Sequence, residues 1–271
     1  MASVPREFKE AVAKAETGDV NGPTTLALLA EEAKLNAWAE DGVRLVGRAQ
    51  RRMESVEAPP SVAAAGAAQK SAPRDRVLVG TGHRADAPGR AVPRFPNTPD
   101  CIAKAEAWLH EQVAAEKAQT GGAVSGIGGA ASGADLLFHE VCAELGIPTT
   151  VVLAIPKDDF RRESVADGGS DWVERYNRLV AAKPVIELSD DASLPPWAAS
   201  IPDYGVFQRG NIWMIEHALL RPNADVTLLA LWNGKRGDGP GGTADMIELA
   251  KRQGAKISVK NTDELFGLSR G

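Results

Sequence analysis

Glycine, gathered in three clusters, marks the places where this chain could do chemistry. The longest cluster is Gly237-Asp238-Gly239-Pro240-Gly241-Gly242-Thr243-Ala244-Asp245-Met246-Ile247-Glu248. It follows the apolar run Val226 to Trp232 and opens a helical pattern through Gln253. Strand, glycine loop and helix in that order can bring backbone N–H groups close to an anion, and the helix start adds unpaired donors and a partial positive charge. A phosphate or ribose phosphate suits such a loop; an ordinary turn before a helix is the alternative. The second cluster, Gly126-Ile127-Gly128-Gly129-Ala130-Ala131-Ser132-Gly133-Ala134-Asp135, has the same setting between an apolar strand and an amphipathic helix. The third, Gly80-Thr81-Gly82-His83-Arg84, ends the short apolar run Val77 to Val79.

From these clusters comes a set of candidate ligand-binding residues: Gly80, Thr81, Gly82, His83 and Arg84; Gly128, Gly129, Ser132, Gly133 and Asp135; and Gly241, Gly242 and Thr243. Each polar side chain has a plainer alternative. Asp135 can accept hydrogen bonds from ribose hydroxyls or complement the positive end of its own helix. His83 and Arg84 can contact phosphate or pair with a neighbouring carboxylate. Trp213 and Trp232 can stack a base, although aromatics beside strands more commonly serve the core. His110, His139 and His217 lie on helical stretches with no second ligand at metal spacing, so no metal site is assigned. Cys142, among Val141, Ala143 and Leu145, reads as small core packing.

The elements that must position these residues alternate regularly. Strands are expected at 77–79, 124–125, 149–155, 185–188, 226–232 and 256–259, with helices at 100–119, 136–145, 158–165, 171–181, 206–220 and 244–253 between them. Continuous β-branched runs alternating with helices indicate a parallel sheet covered on both faces. The expected fold is α/β: a doubly wound, mainly parallel Rossmann-like sheet over residues 74–271. In such sheets ligands sit beyond the carboxyl ends of the strands, where strand order reverses. All three glycine clusters fall at strand ends, which predicts one shared pocket. Residues 1–56 form a helical N-terminal segment rich in Ala, Leu, Glu, Lys and Arg, with little core of its own. Residues 57–73, Ala-, Pro-, Ser- and Gly-rich, read as a flexible linker.

Composition bounds the function. The 271 residues are 44% hydrophobic and 25% charged, the balance of a globular protein with a sizeable core. A net charge of −5 argues against a broad nucleic-acid footprint. The two cysteines and the lack of a basic-then-apolar leader lead us to expect a cytoplasmic protein. No apolar run approaches the roughly 18 residues of a membrane span. Gly126-Ile127-Gly128-Gly129-Ala130-Ala131 matches the dinucleotide pattern G-x-G-x-x-(G/A) by letter. That pattern needs an acidic residue about 20 positions on, where this chain has Val151-Val152-Leu153-Ala154, and it belongs on the first strand rather than the second. No nicotinamide, flavin or other cofactor is therefore expected. A G-x-x-x-x-G-K-(S/T) loop does not occur.

Taken together, Gly80-Thr81-Gly82-His83-Arg84, the run from Ser125-Gly126 to Gly133-Ala134-Asp135, and Pro240-Gly241-Gly242-Thr243 resemble the SLOG superfamily. These are Rossmann-like proteins related to SMF DNA-processing proteins and LOG-type phosphoribohydrolases. The resemblance covers about residues 76–260 and implies a site for a nucleotide or nucleotide-derived ligand. Some branches sense a signal beside an effector or helical-repeat partner; others cleave an N-glycosidic bond. The enzyme branch carries P-G-G-x-G-T-x-x-E, whose glutamate is catalytic. Pro240, Gly241, Gly242 and Glu248 match it, while Ala244 and Asp245 replace its second glycine and its threonine. The family arginine on the preceding helix corresponds best to Arg209. In that reading Glu248 stabilises an oxocarbenium-like ribose or activates water and Arg209 holds the phosphate. Otherwise both are solvated helix residues. The expected role is a ligand-sensing module, with phosphoribohydrolase activity as the alternative. Homo-oligomer formation is compatible with both, and single-stranded DNA binding is disfavoured by the acidic balance.

Overall fold

The computed structural model describes residues 3–18, 20–57, 73–236 and 241–268. Most of the expected linker, residues 58–72, lies outside the described residues, as does the Gly237–Pro240 part of the longest glycine loop. The chain divides into two compact units, Met1–Pro73 with Leu194–Tyr204, and Arg74–Ser193 with Gly205–Gly271.

The smaller unit contains α1 (Arg6–Thr17), α2 (Gly22–Lys34) and α3 (Ala39–Glu57). Phe8, Val12 and Ala15 recur at helical spacing on α1 and are buried with Leu26, Leu29 and Ala33 of α2 and Val46 and Ala49 of α3. The expected shortage of core is met by residues 194–204, which come from the far part of the sequence. Trp197 packs its ring 5.8 Å from that of Phe8, which in turn lies 4.6 Å from Trp38. The fully buried Glu32 accepts from Trp197 Nε1 at 2.8 Å and from the Tyr204 hydroxyl at 3.1 Å, so this carboxylate enters the core with partners.

The larger unit runs β1 (Asp75–Gly82), α4 (Pro99–Gln119), β2 (Val124–Gly128), α5 (Ala134–Glu144), β3 (Thr149–Leu153), α6 (Lys157–Ser164), α7 (Ser170–Ala182) and β4 (Val185–Glu187). After the excursion through α8 (Pro196–Ala199) it continues with α9 (Val206–Leu219), β5 (Ala224–Leu231), α10 (Thr243–Arg252), β6 (Lys256–Lys260) and α11 (Thr262–Phe266). The six strands form one sheet in the order β4-β3-β2-β1-β5-β6, every pair parallel. This is the doubly wound Rossmann-like architecture. β1 and β2 run longer than the sequence pattern indicates because they contain glycine: Gly80 and Gly82 in β1, Gly126 and Gly128 in β2.

The chain winds outward from β1 to β4, then returns to start again at β5 on the other side of β1. Crossovers of one hand place successive helices on opposite faces once the direction reverses. Accordingly α4 and α5 pack on each other and on the sheet, and α9 and α10 form a second such pair. Among the described residues no helix is long and apolar enough to cross a membrane.

Candidate functional site

The reversal point between β1 and β5 opens a cleft of about 260 Å³ at the carboxyl ends of the strands. Thr81, Gly82, His83 and Arg84 line it from the end of β1; Gly129, Ala131 and Asp135 from the connection after β2; Gly241, Gly242 and Thr243 from the start of α10. Ten residues of the three glycine clusters thus share one cavity, which the sequence places as much as 162 positions apart, from Thr81 to Thr243.

Backbone hydrogen bonds hold these segments in place. His83 N–H donates to Leu231 O at 2.8 Å, and His83 O accepts from Ala134 N–H at 3.2 Å, so one residue ties the end of β5 to the start of α5. Arg84 and Gly133 form an antiparallel bridge, and Ala85 N–H donates to Ser132 O. After β2, His139 Nε2 lies 2.9 Å from Gly129 O. A carbonyl only accepts, so Nε2 carries the proton; Nδ1 is buried without a hydrogen-bond partner. Burial pushes this imidazole down to about 4, and it remains neutral.

At the third loop, Gly241 has φ +81°, and a Cβ there would lie 2.2 Å from Gln208 N. Glycine is required on both counts. Its N–H donates to Asp245 Oδ2 at 3.0 Å and its carbonyl accepts from Asn211 Nδ2 at 2.7 Å. The turn therefore presents the start of α10 to the cleft in one orientation, with the unpaired donors of a first helical turn.

The polar groups are unequal. His83 is buried, with Nε2 3.0 Å from Asn233 Oδ1 and 3.2 Å from the Asn233 N–H; burial pushes it down to about 4, assisted by Arg94 and Arg90. Arg84 pairs with Asp167 at the rim, and Arg94 adds a second guanidinium to the lining. Asp135 accepts from Ala131 N–H at 3.3 Å, and the protein packed around it pushes its carboxyl up to about 7 against the opposing pull of that N–H and of Arg84. The apolar lining is Val152, Ala154, Phe160, Phe207, Met214 and Trp232, with the Phe160 and Phe207 rings edge to face at 6.1 Å. The cleft thus combines two arginines and the start of α10 with apolar and aromatic side chains.

Six candidates from the sequence do not line this cleft. Gly80 and Gly128 face α5: a Cβ on Gly80 would lie 2.3 Å from Phe138 Cγ, and one on Gly128 would lie 3.2 Å from His139 Nε2. They make room for that helix. Ser132 is fully buried, its N–H donating to Ser164 O, and Gly133 serves the bridge to Arg84. Arg209 donates from Nη1 to Leu188 O at 3.2 Å. Glu248 is 63% exposed and sits 3.3 Å from Arg236 Nη2, which with Nη1 also reaches Asp245.

Conversely, Arg94, Phe160, Ser164, Phe207, Asn211 and Met214 line the cleft without having been singled out as site residues in the sequence. One signal was present: Gly210-Asn211 stands inside the helical run Val206 to Leu220, where both residue types are poor helix formers. Gly210 lets α9 approach Ala154, and Asn211 supplies the bond to Gly241. No protein-family model, curated protein or solved structure matches this chain.

Proposed function

We propose that the cleft binds a nucleotide or nucleotide-derived small molecule and that the chain is a SLOG-like sensing module of the reducing cytoplasm. The observation that carries the reading is the convergence of three strand-end loops on one cavity at the reversal point, whose lining also includes Arg84, Arg94 and the start of α10. A phosphate suits the guanidinium groups and the start of α10; a planar base suits the side chains of Phe160, Phe207, Met214 and Trp232. Cys101 and Cys142, both buried and free, accord with a reducing compartment.

Binding without turnover is favoured over N-glycosidic hydrolysis by the positions of the two family-matched catalytic candidates. Neither Glu248 nor Arg209 lines the cleft, and each already has a protein partner. The test is a thermal-unfolding screen of nucleoside monophosphates, cyclic nucleotides and NAD-derived nucleotides, with each hit then assayed for free base. A ligand at 100 times its Kd stabilises the fold by about 2.7 kcal/mol, a readily measured rise in Tm. Stabilisation without base release is expected, unchanged in Glu248→Gln. Base release lost in Glu248→Gln would establish the hydrolase instead, and a screen in which no nucleotide raises Tm would remove the binding reading altogether.

A further inference from the structure

Asp135 is the one carboxylate among the described residues that line the cleft, and it shares that lining with Arg84 and Arg94. Its surroundings hold it there. Oδ2 accepts from Ala131 N–H, two residues beyond Gly129, and a Cβ on Gly129 would lie 2.5 Å from that same oxygen. The loop after β2 therefore closes directly over the carboxylate, and His139 pins it from behind through Gly129 O. A carboxylate has about four lone-pair sites; one is used by Ala131, and the side chain keeps part of its surface in the cleft.

The charges around it define what must meet it. Arg84 and Arg94 approach from the segment after β1, and Arg84 acts on Asp135 directly. His83 on that segment and His139 on α5 are neutral. The polar lining from α6, α9 and α10 is uncharged: Ser164, Asn211 and Thr243. An ionised carboxylate only accepts hydrogen bonds, so the part of the ligand that reaches Asp135 has to bring donors, and a phosphate is left to the arginines and the start of α10.

Resting on the nucleotide reading of the cleft, we propose that Asp135 is its selectivity residue: the ionised carboxylate receives the hydroxyls of a ribose, so the site prefers ribonucleotides to 2′-deoxyribonucleotides. Two hydroxyl donors replace the water that burial has removed and hold the charged form. Without them the surrounding protein pushes the carboxyl up to about 7. Uptake of the ligand thus releases a proton near neutral pH.

Calorimetric titration of the full chain tests this with the four ribonucleoside 5′-monophosphates and their 2′-deoxy counterparts between pH 5.5 and 8. At pH 8 the best ribonucleotide is expected to bind at least about tenfold more tightly than its deoxy form, the scale of one hydrogen bond to a charged group. Its affinity should fall about 30-fold from pH 8 to 5.5, as a carboxyl titrating near 7 requires. Asp135→Asn keeps an acceptor for Ala131 N–H; its ribose preference should shrink to about threefold or less, leaving only the pH response of the phosphate, which titrates near 6. Equal binding of ribo and deoxy forms by the unmodified chain, or an unchanged pH profile in Asp135→Asn with Tm preserved, overturns the assignment while the nucleotide site stands. Absence of binding by all eight probes overturns the assignment, and the nucleotide reading falls with it when the cyclic and NAD-derived nucleotides of the thermal screen also fail to raise Tm.

Discussion

Asn211 in the second turn of α9 donates from Nδ2 to the carbonyl of Gly241 at 2.7 Å, and this bond ties the helix that forms one wall of the cleft to the turn that opens α10. The two residues are 30 positions apart, and the strand β5 runs between them. A carbonyl at such a turn has no helical partner of its own, so the amide decides how the start of α10 faces the cavity.

Asn211→Ala is therefore expected to lose about 0.5–1.5 kcal/mol of stability, the usual worth of one such bond. A nucleotide identified in the thermal screen should bind it more weakly by a larger factor than it binds Gln253→Ala, which breaks the exposed bond from Gln253 Nε2 to Glu216 Oε1 between α10 and α9. Urea unfolding and titration of both variants check this. Equal losses in binding would make Asn211 a general strut between the helices.

Gly241 itself should be intolerant of a side chain. At φ +81° an alanine is strained, and its Cβ would meet backbone, Gln208 N at 2.2 Å, which cannot swing aside. Gly234 has nearly the same φ, +82°, with nothing within 4 Å of an added Cβ. Strain alone costs about 1 kcal/mol or somewhat more. Gly234→Ala is expected to show that cost in urea unfolding, and Gly241→Ala clearly more, with the difference reporting the contact with α9. Matching losses would mean that the turn moves freely away from Gln208.

The periodicity of the sequence is sufficient for the alternating parallel sheet, because buried parallel strands must be apolar on both faces. It cannot distinguish a glycine that lines the cleft from one that lies behind it against a helix. Gly80 and Gly128 carry the same letter as Gly129 and Gly241, yet they lie on the α5 side, where Phe138 is fully buried. The apolar lining was also out of reach, since Phe160 and Phe207 come from α6 and α9, 47 positions apart, and meet only in the folded chain. Likewise no local pattern indicates that residues 194–204 belong with the N-terminal helices; that depends on Glu32 finding Trp197 and Tyr204.

The packing role of Gly80 has its own test. An added Cβ would lie 2.3 Å from Phe138 Cγ, so Gly80→Ala overpacks the core by about 1–3 kcal/mol. Trimming the partner in Gly80→Ala/Phe138→Ala removes the clashing Cγ and Cδ1 and should show a favourable coupling of about 0.5–3 kcal/mol in a double-mutant cycle. Additive losses would place the strain elsewhere.

The pH dependence of stability separates three buried titrating groups by sign. His83 and His139 drop from 6.5 to about 4 on folding, so their contribution is present above pH 6.5 and is lost as pH falls toward 4. Asp135 rises from 3.8 to about 7, so its contribution is present below pH 3.8 and is lost as pH rises toward 7. Between about pH 4.5 and 6 each fully titrating group changes stability by about 1.4 kcal/mol per pH unit. The two histidines make stability rise with pH in that window and the aspartate makes it fall, leaving one histidine's worth of net slope from the three. Asp135→Asn removes the opposing part, so its unfolding free energy should climb more steeply over the same range, by about 1.4 kcal/mol per pH unit. At pH 8, where the unmodified chain holds Asp135 ionised without a ligand, the variant should also have the higher Tm. Urea unfolding at half-unit steps of pH measures both. Parallel slopes for the two proteins would show that Asp135 titrates at its ordinary value, with water reaching it in the open cleft.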